Sequence, residues 1–176
     1  MEGSERVQRA LEFATEKHKG QMRIGGGEYI THPIAVCEIV KNQGYGEDYQ
    51  ITALFHDLLE DTSATELEIL KFGNEEILTA VKLLTKQKGY VMEKYIADIK
   101  TNDIALKVKT ADRLHNLRCA LVTDVEFKRK YVLETVDWYL DFSPEIKTAV
   151  KTLAESIDTP MAELSFLYTP IDSWKI

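Results

Sequence analysis

The stretch Phe55-His-Asp-Leu-Leu-Glu-Asp-Thr62 brings one imidazole (His56) and three carboxylates (Asp57, Glu60, Asp61) together with no lysine or arginine among them. On a continuous helix His56 and Glu60 share a face, and Asp57 and Asp61 lie one turn apart on the adjacent face. Like charges at that spacing cost roughly 0.2–0.5 kcal/mol on a wet surface, and more once they leave water. A solvated acidic helix end would tolerate this, but Ala53, Leu54, Phe55, Leu58 and Leu59 flank and separate the charges. A neutralising cation is therefore expected. A divalent ion accepts imidazole and carboxylate ligands together, and an adjacent His and Asp can both reach one ion.

A second acidic position follows the apolar residue Val108 in Val108-Lys-Thr-Ala-Asp-Arg-Leu-His-Asn-Leu117. Asp112 and Asn116 stand at i and i+4, on one helix face, with Asp112 expected to point inward. Taken alone, Asp112 reads better as an ion-pair partner of Arg113 or Lys109 that stitches helices together. His32 alone reads as a capping or core histidine. Only the coexistence of these pieces gives any of them chemical weight.

The elements that must position them are helices almost throughout, which predicts an all-α fold. Val7, Ala10, Leu11, Ala14 and His18 follow helical spacing and predict a first helix ending near Gly20. A polar loop containing Gly25-Gly26-Gly27 runs to Thr31. Thr31 has N-cap chemistry, and Pro33 sits in the first turn, where its missing N–H costs nothing. That second helix is expected to turn Ile34, Cys37 and Val40 inward and to stop by Gly44. A third should span 48–60, burying Ile51, Leu54, Phe55 and Leu58. Ser63-Ala-Thr-Glu66 matches a capping box and should open a short helix before Gly73. Asn74 caps the next, which turns Ile77, Leu78, Val81 and Leu84 inward. Helical stretches follow at 90–99, 104–121 and 125–140, and Ser143-Pro144 and Thr159-Pro160 start the last two. No alternating strand pattern stands out.

The bulk properties narrow the partners. A chain of 176 residues with 44% hydrophobic content is expected to form one domain over 1–176 with a core of its own. Its net charge of -7 argues against a nucleic-acid partner, which usually requires a basic face. A polyanion can still bind through a local cluster of cations or a metal. No apolar run is long enough to span a bilayer, and the charged amphipathic N-terminus does not read as a signal peptide, so a cytoplasmic protein is expected. Cys37 and Cys119 lack CxxC partners and read as reduced thiols.

Three ordered pieces, His32-Pro33, His56-Asp57-Leu-Leu-Glu60-Asp61-Thr62 and Lys109-Thr-Ala-Asp112-Arg-Leu-His-Asn116-Leu, resemble the HD-domain superfamily. Within it the set is similar to the hydrolase domain of RelA/SpoT-type alarmone enzymes. His18-Lys-Gly-Gln-Met-Arg23, Tyr29-Ile-Thr-His32-Pro33 and Leu83-Leu-Thr-Lys86 extend the likeness, which covers a motif core at 5–120 followed by C-terminal helices over 121–176. No synthetase domain fits in the remainder, so the expectation is a stand-alone small alarmone hydrolase, a group that includes a metazoan homologue.

The resemblance implies one divalent ion, typically manganese with Fe²⁺ or Zn²⁺ as alternatives, held by His32, His56, Asp57 and Asp112. It implies that Glu60 and Asp61 position and deprotonate the attacking water. The implied reaction is hydrolysis of the 3′-diphosphate of guanosine tetra- or pentaphosphate to pyrophosphate and GDP or GTP. So anionic a substrate needs cations at the pocket mouth, where Arg23 matches the family's basic loop position and Lys109 shares the Asp112 face. Asn116 matches the residue that meets the nucleoside. Lys86 and Arg113 are assigned to structural pairing.

The chain departs from the family where relatives read Arg-Lys-Ser-Gly-Glu-Pro-Tyr and it reads Arg23-Ile-Gly-Gly-Gly-Glu-Tyr29. A basic residue is lost at Ile24, and three glycines should loosen the loop. Cys119 stands where a threonine or serine is common, and a thiol is a weak hydrogen-bond partner. Two other readings stay open. One is the same metal chemistry on pppApp or on the 2′-phosphate of NADPH. The other is a metal-stapled nucleotide sensor or partner of an alarmone synthetase. Trp138, Tyr139, Phe142 and Trp174 are read as packing residues, although an exposed aromatic among them would mark a homodimer face.

Overall fold

A computed structural model describes residues 4–157. Among them are ten α-helices and no strand beyond one isolated bridge between Met22 and Glu28, so the fold is all-α. Trp174 and the helix start expected at Thr159-Pro160 lie outside the described residues. The chain divides into two compact units, one ending at His115 and one beginning at Asn116.

The first unit is built around α3 (Glu47–Phe55), which packs against α1 (Glu5–Lys17), α2 (Thr31–Asn42) and α6 (Glu75–Leu84). Ile51 through Phe55 are all buried, so the second half of this helix has no solvent face, while Glu47, Asp48, Tyr49 and Gln50 at its start are partly exposed. Phe13 of α1 meets Phe55 edge to face at 5.5 Å and stacks on Phe72 of α5 (Glu66–Phe72) at 4.4 Å. Phe13 belongs to the buried stripe of α1 together with Ala10 and Ala14. Its contacts add aromatic pair energy to the area that it buries. The unit continues through α7 (Met92–Lys100) and into α8 (Asp103–Ala120).

Four local expectations are corrected. Thr31 is not the N-cap of α2. The helix already includes it, and its hydroxyl donates to the Glu28 carbonyl at 2.7 Å. Ile34 faces out at 36% exposure, whereas His32, Val36 and Val40 are buried on one i, i+4 face. Helix α2 is thus rotated so that its histidine rather than its isoleucine enters the core. The capping box lies at Thr65 and Glu68, not at Ser63 and Glu66. Thr65 Oγ1 accepts from the Glu68 N–H, and the Glu68 carboxylate accepts from the Thr65 N–H at 2.9 Å. Both registers satisfy the same pattern, and the observed one leaves Glu66 to pair with Lys82 at 2.9 Å.

The fourth correction matters most. The helix expected over 48–60 is broken into α3 and α4 (Leu58–Asp61), with His56 and Asp57 at the joint. His56 Nδ1 lies 2.7 Å from the Ala53 carbonyl. The side chain thus bonds a carbonyl in the turn where the helix ends.

The second unit takes the end of α8, α9 (Val125–Trp138) and α10 (Pro144–Glu155). Helices α9 and α10 pack on one another, and Leu117, Val132, Leu140, Ile146, Val150 and Leu153 are among their buried core residues. Asp124 and Ser143 cap α9 and α10, with Pro144 in the first turn of α10, as the sequence predicts. Tyr139 is fully buried, with its ring 5.1 Å from Phe142, so both act as packing residues. Neither cysteine is in a disulfide. No described helix is long and apolar enough to cross a membrane.

Candidate active site

Three helical segments of the first unit deliver four donor atoms to one place. From α2, His32 Nε2 lies 3.0 Å from Asp112 Oδ1 and 3.9 Å from Asp57 Oδ2. At the α3–α4 joint, His56 Nε2 lies 3.0 Å from Asp57 Oδ2 and 3.7 Å from Asp112 Oδ1. Asp112 arrives from α8. Both histidines and Asp112 are buried at 5% exposure or less. A nitrogen–oxygen cluster of this density inside a protein calls for a cation or for protons at its centre.

The donor chemistry fits a metal. A carbonyl can only accept, so His56 Nδ1 carries a proton toward Ala53 and leaves Nε2 as the atom that faces the cluster. With a cation bound, Nε2 would present its lone pair; otherwise the carboxylates at 3.0 and 3.7 Å favour a proton there. His32, His56 and Asp57 form a group of metal-ligating type whose ligand atoms lie within 4.8 Å of one another. Asp112 Oδ1 approaches both histidines of this group.

Protonation follows from the same packing. Burial holds the His32 imidazolium below its ordinary range and outweighs the carboxylates beside it. For His56 burial acts in the same direction, but Asp57 and Asp112 together raise it well above 6.5. Asp57 is held down at about 2. Burial opposes its charge, and His56 leads the groups that overcome that opposition. Asp112 lies well below its ordinary range, against burial, chiefly because of Lys109 and the two histidines.

Each donor side chain also has a further partner, and in Asp57 that partner meets the donor oxygen itself. Lys109 Nζ donates to Asp112 Oδ2 at 2.8 Å. The Lys109 pairing and the place of Asp112 among the donors therefore hold together, one oxygen for each. Tyr29, whose phenol burial keeps protonated, donates to Asp57 Oδ2 at 2.6 Å. His115 meets His32, Nδ1 to Nδ1, at 2.7 Å. Tyr29 and His115 received no role from the sequence. The signal was their spacing, since Tyr29 precedes His32 by three residues and His115 follows Asp112 by three.

The remaining candidates are placed by their position in the chain and by their contacts. Glu60 and Asp61 follow on α4, and burial raises both carboxyls, more than their charged neighbours do. Glu60 Oε2 accepts from the Lys86 backbone N–H at 3.3 Å, beside a cleft of about 430 Å³ that Lys82, Lys86 and Lys88 also line. Gln21 donates to the Asp61 carbonyl at 2.7 Å and so ties the glycine loop to α4. That loop is closed by Arg23 N–H to Gly27 carbonyl and by Tyr29 N–H to Gln21 carbonyl bonds, at 3.0 and 2.9 Å. Gly25, Gly26 and Gly27 all adopt φ near +90 to +100°, a region that side chains avoid. The three glycines thus build a tight turn rather than a loose one. Arg23 lies 6.0 Å from the Tyr29 ring centre, Lys109 is committed to Asp112, and Asn116 follows Asp112 by one turn on α8.

Comparison with known proteins identifies relatives of the chain. A family model described as HD domain matches residues 10–143. A GTP pyrophosphokinase rsh of Brucella melitensis is 31% identical over 96% of this chain and 23% of its own length. A guanosine-3′,5′-bis(diphosphate) 3′-pyrophosphohydrolase of Aquifex aeolicus is 33% identical over 77% of this chain and 21% of its own length. The chain thus spans less than a quarter of the length of these curated relatives. A solved structure described as a metazoan ortholog of SpoT that hydrolyses ppGpp superimposes with a TM-score of 0.72. The match covers 88% of this chain and 97% of that one at 23% identity, which shows a shared fold. With its His56–Asp57 pair at a helix joint and the family match across most of its length, the chain belongs to the HD-domain family.

Proposed function

We propose that this chain is a manganese-dependent hydrolase that removes the 3′-diphosphate of guanosine 3′,5′-bis(diphosphate), and of its pentaphosphate form, as pyrophosphate. The observation that carries the reading is a two-histidine, two-aspartate donor set, buried apart from the partly exposed Asp57, followed in the chain by two further carboxylates, Glu60 and Asp61. A closed structural site has no use for that pair. The name of the Aquifex relative states this reaction, which supports the choice of substrate.

His32, His56, Asp57 and Asp112 would hold the ion, and mixed nitrogen and oxygen donors suit Mn²⁺, with Fe²⁺ or Zn²⁺ acceptable to the same set. When bound, such an ion lowers the pKa of a water and polarises a phosphoryl oxygen. Glu60 and Asp61 orient the attacking water and take its proton. Their raised pKa values bring them closer to the pH at which a general base works well. The water oxygen joins the phosphorus nearest the ribose, the bond from that phosphorus to the 3′ oxygen breaks, and a 3′-hydroxyl is left on GDP or GTP. Arg23 supplies a cation to the phosphates in a chain of net charge -7, and Asn116 meets the nucleoside. Lys109 acts mainly through Asp112, to which it is bonded.

A panel of ppGpp, pppApp and NADPH against Mn²⁺-loaded protein tests the substrate, with ppGpp turnover expected. Turnover of pppApp or NADPH without turnover of ppGpp overturns that choice. The double variant Glu60→Gln, Asp61→Asn should keep Mn²⁺ binding and lose about 10²-fold or more in kcat. Full activity in that variant would remove the pair from the mechanism.

A further inference from the structure

We propose that His115 is a positioning residue for the donor set, because its Nδ1 accepts the Nδ1–H of His32 and so fixes the tautomer that turns the His32 Nε2 lone pair toward Asp57 and Asp112. This rests on the metal-dependent reading above and extends it to a residue outside the proposed ligand set.

The geometry is specific. The two Nδ1 atoms are 2.7 Å apart, and the ring centres are 5.0 Å apart with 29° between planes. With nitrogens that close and centres that far, the rings meet edge to edge and nearly coplanar, which aligns an N–H with a lone pair. One nitrogen must carry the proton and the other must not.

Two arrangements satisfy this contact. In the first, His115 Nδ1–H donates, and His32 carries its proton on Nε2, directed at Asp112 Oδ1 3.0 Å away. In the second, His32 Nδ1–H donates to His115, and His32 Nε2 is bare. Only the second can ligate a cation.

His56 has no such choice, because its Nδ1 faces a backbone carbonyl. Ligating histidines usually lean in that way on a carbonyl or a carboxylate, each of which can only accept. His32 instead leans on a neutral imidazole, which can serve as donor or acceptor. The orientation of His115 and its proton on Nε2 therefore select the competent form of His32. Since His115 follows Asp112 by three residues, one face of α8 supplies both a donor and the support of a donor from α2.

The test is the Mn²⁺ affinity of three proteins, measured by titration calorimetry, with circular dichroism to confirm helicity. His115→Phe keeps the ring and removes the acceptor, and it should weaken binding by about 10- to 100-fold. His115→Asn places an amide oxygen near the Nδ1 position and should restore most of that loss. Unchanged affinity in the folded Phe variant, or an Asn variant no better than Phe, overturns the proposal.

Nitrogen-15 spectra of the Zn²⁺-loaded wild-type protein give a readout that does not depend on variant folding. The proton should sit on His32 Nδ1 and on His115 Nε2, and a proton on His115 Nδ1 overturns the proposal. Failure to turn over ppGpp with metal uptake intact overturns only the substrate choice. Failure of the wild-type protein to take up metal overturns both.

Discussion

Four side chains meet at less than 4 Å, and each is held by a further group of different chemistry: a carbonyl on His56, an imidazole on His32, a phenol on the donor oxygen of Asp57 and an ammonium on the second oxygen of Asp112. Such outer partners orient the ligands and tune their basicity. Tyr29→Phe removes the hydroxyl on Asp57 while keeping the ring, which lies 4.8 Å from that of His18. Mn²⁺ affinity should fall roughly 10-fold or more with the fold intact, and calorimetric titration giving wild-type affinity would show that the phenol does not orient Asp57. The cluster also sets a pH window for the metal-free protein. The raised pKa of His56 contributes stability that is complete below 6.5 and is lost as pH rises through the raised value. Asp57, held down at about 2, contributes stability present above 3.8 and lost as pH falls through about 2. The melting temperature of the metal-free protein should therefore decline on the alkaline side, and saturating Mn²⁺, which takes the place of the proton, should flatten that decline. A metal-free melting temperature that is level through the alkaline range would contradict the assignment.

At the scale of elements, the site sits where a helix is interrupted. His56 and Asp57 both keep right-handed helical dihedrals across the α3–α4 joint, and there His56 Nε2 and Asp57 Oδ2 come to 3.0 Å. Directly after it, the start of α5 is set by Thr65 and Glu68, and Lys17 of α1 also bonds Glu68 at 2.9 Å. Thr65→Ala should cost about 1 kcal/mol, whereas Ser63→Ala should cost close to nothing. Urea melts of the two variants decide between the registers, and the reverse ranking would refute the observed cap. In the loop before α2, a Cβ at Gly26 would meet no atom within 4 Å, so Gly26→Ala is opposed only by its φ of +100°. The penalty should be about 1–2 kcal/mol, read from the same melts. A neutral or stabilising result would mean that the turn relaxes.

For the molecule as a whole, the proposed metal site links ion and fold. A site formed by α2, the α3–α4 joint and α8 does not exist in the unfolded chain, so an ion held there would stabilise the first unit by mass action. With free Mn²⁺ at 100 times its Kd the gain should be about 2.7 kcal/mol, reversed by a chelator. Denaturation midpoints that ignore both metal and chelator would show that no ion is held by the folded protein. The net charge of -7 bears on the same scale, since it disfavours a polyanion everywhere except near local cations such as Arg23 and the lysines beside Glu60.

The all-helical fold, most helix limits to within two residues and the residue types of the donor set were legible in the chain itself. Periodicity, caps and the crowding of His56, Asp57, Glu60 and Asp61 are local properties, and local physics writes them directly into the sequence. What required the tertiary structure was every choice between equivalent local options. Thr65 rather than Ser63 caps α5, His32 rather than Ile34 faces inward on α2, and a joint rather than a helix carries His56 and Asp57. The roles of Tyr29 and His115 belong to the same class, because their partners lie 28 and 83 residues away. A hydrogen bond or a buried face is selected by the free energy of what it meets, and for these residues what they meet is distant in the chain.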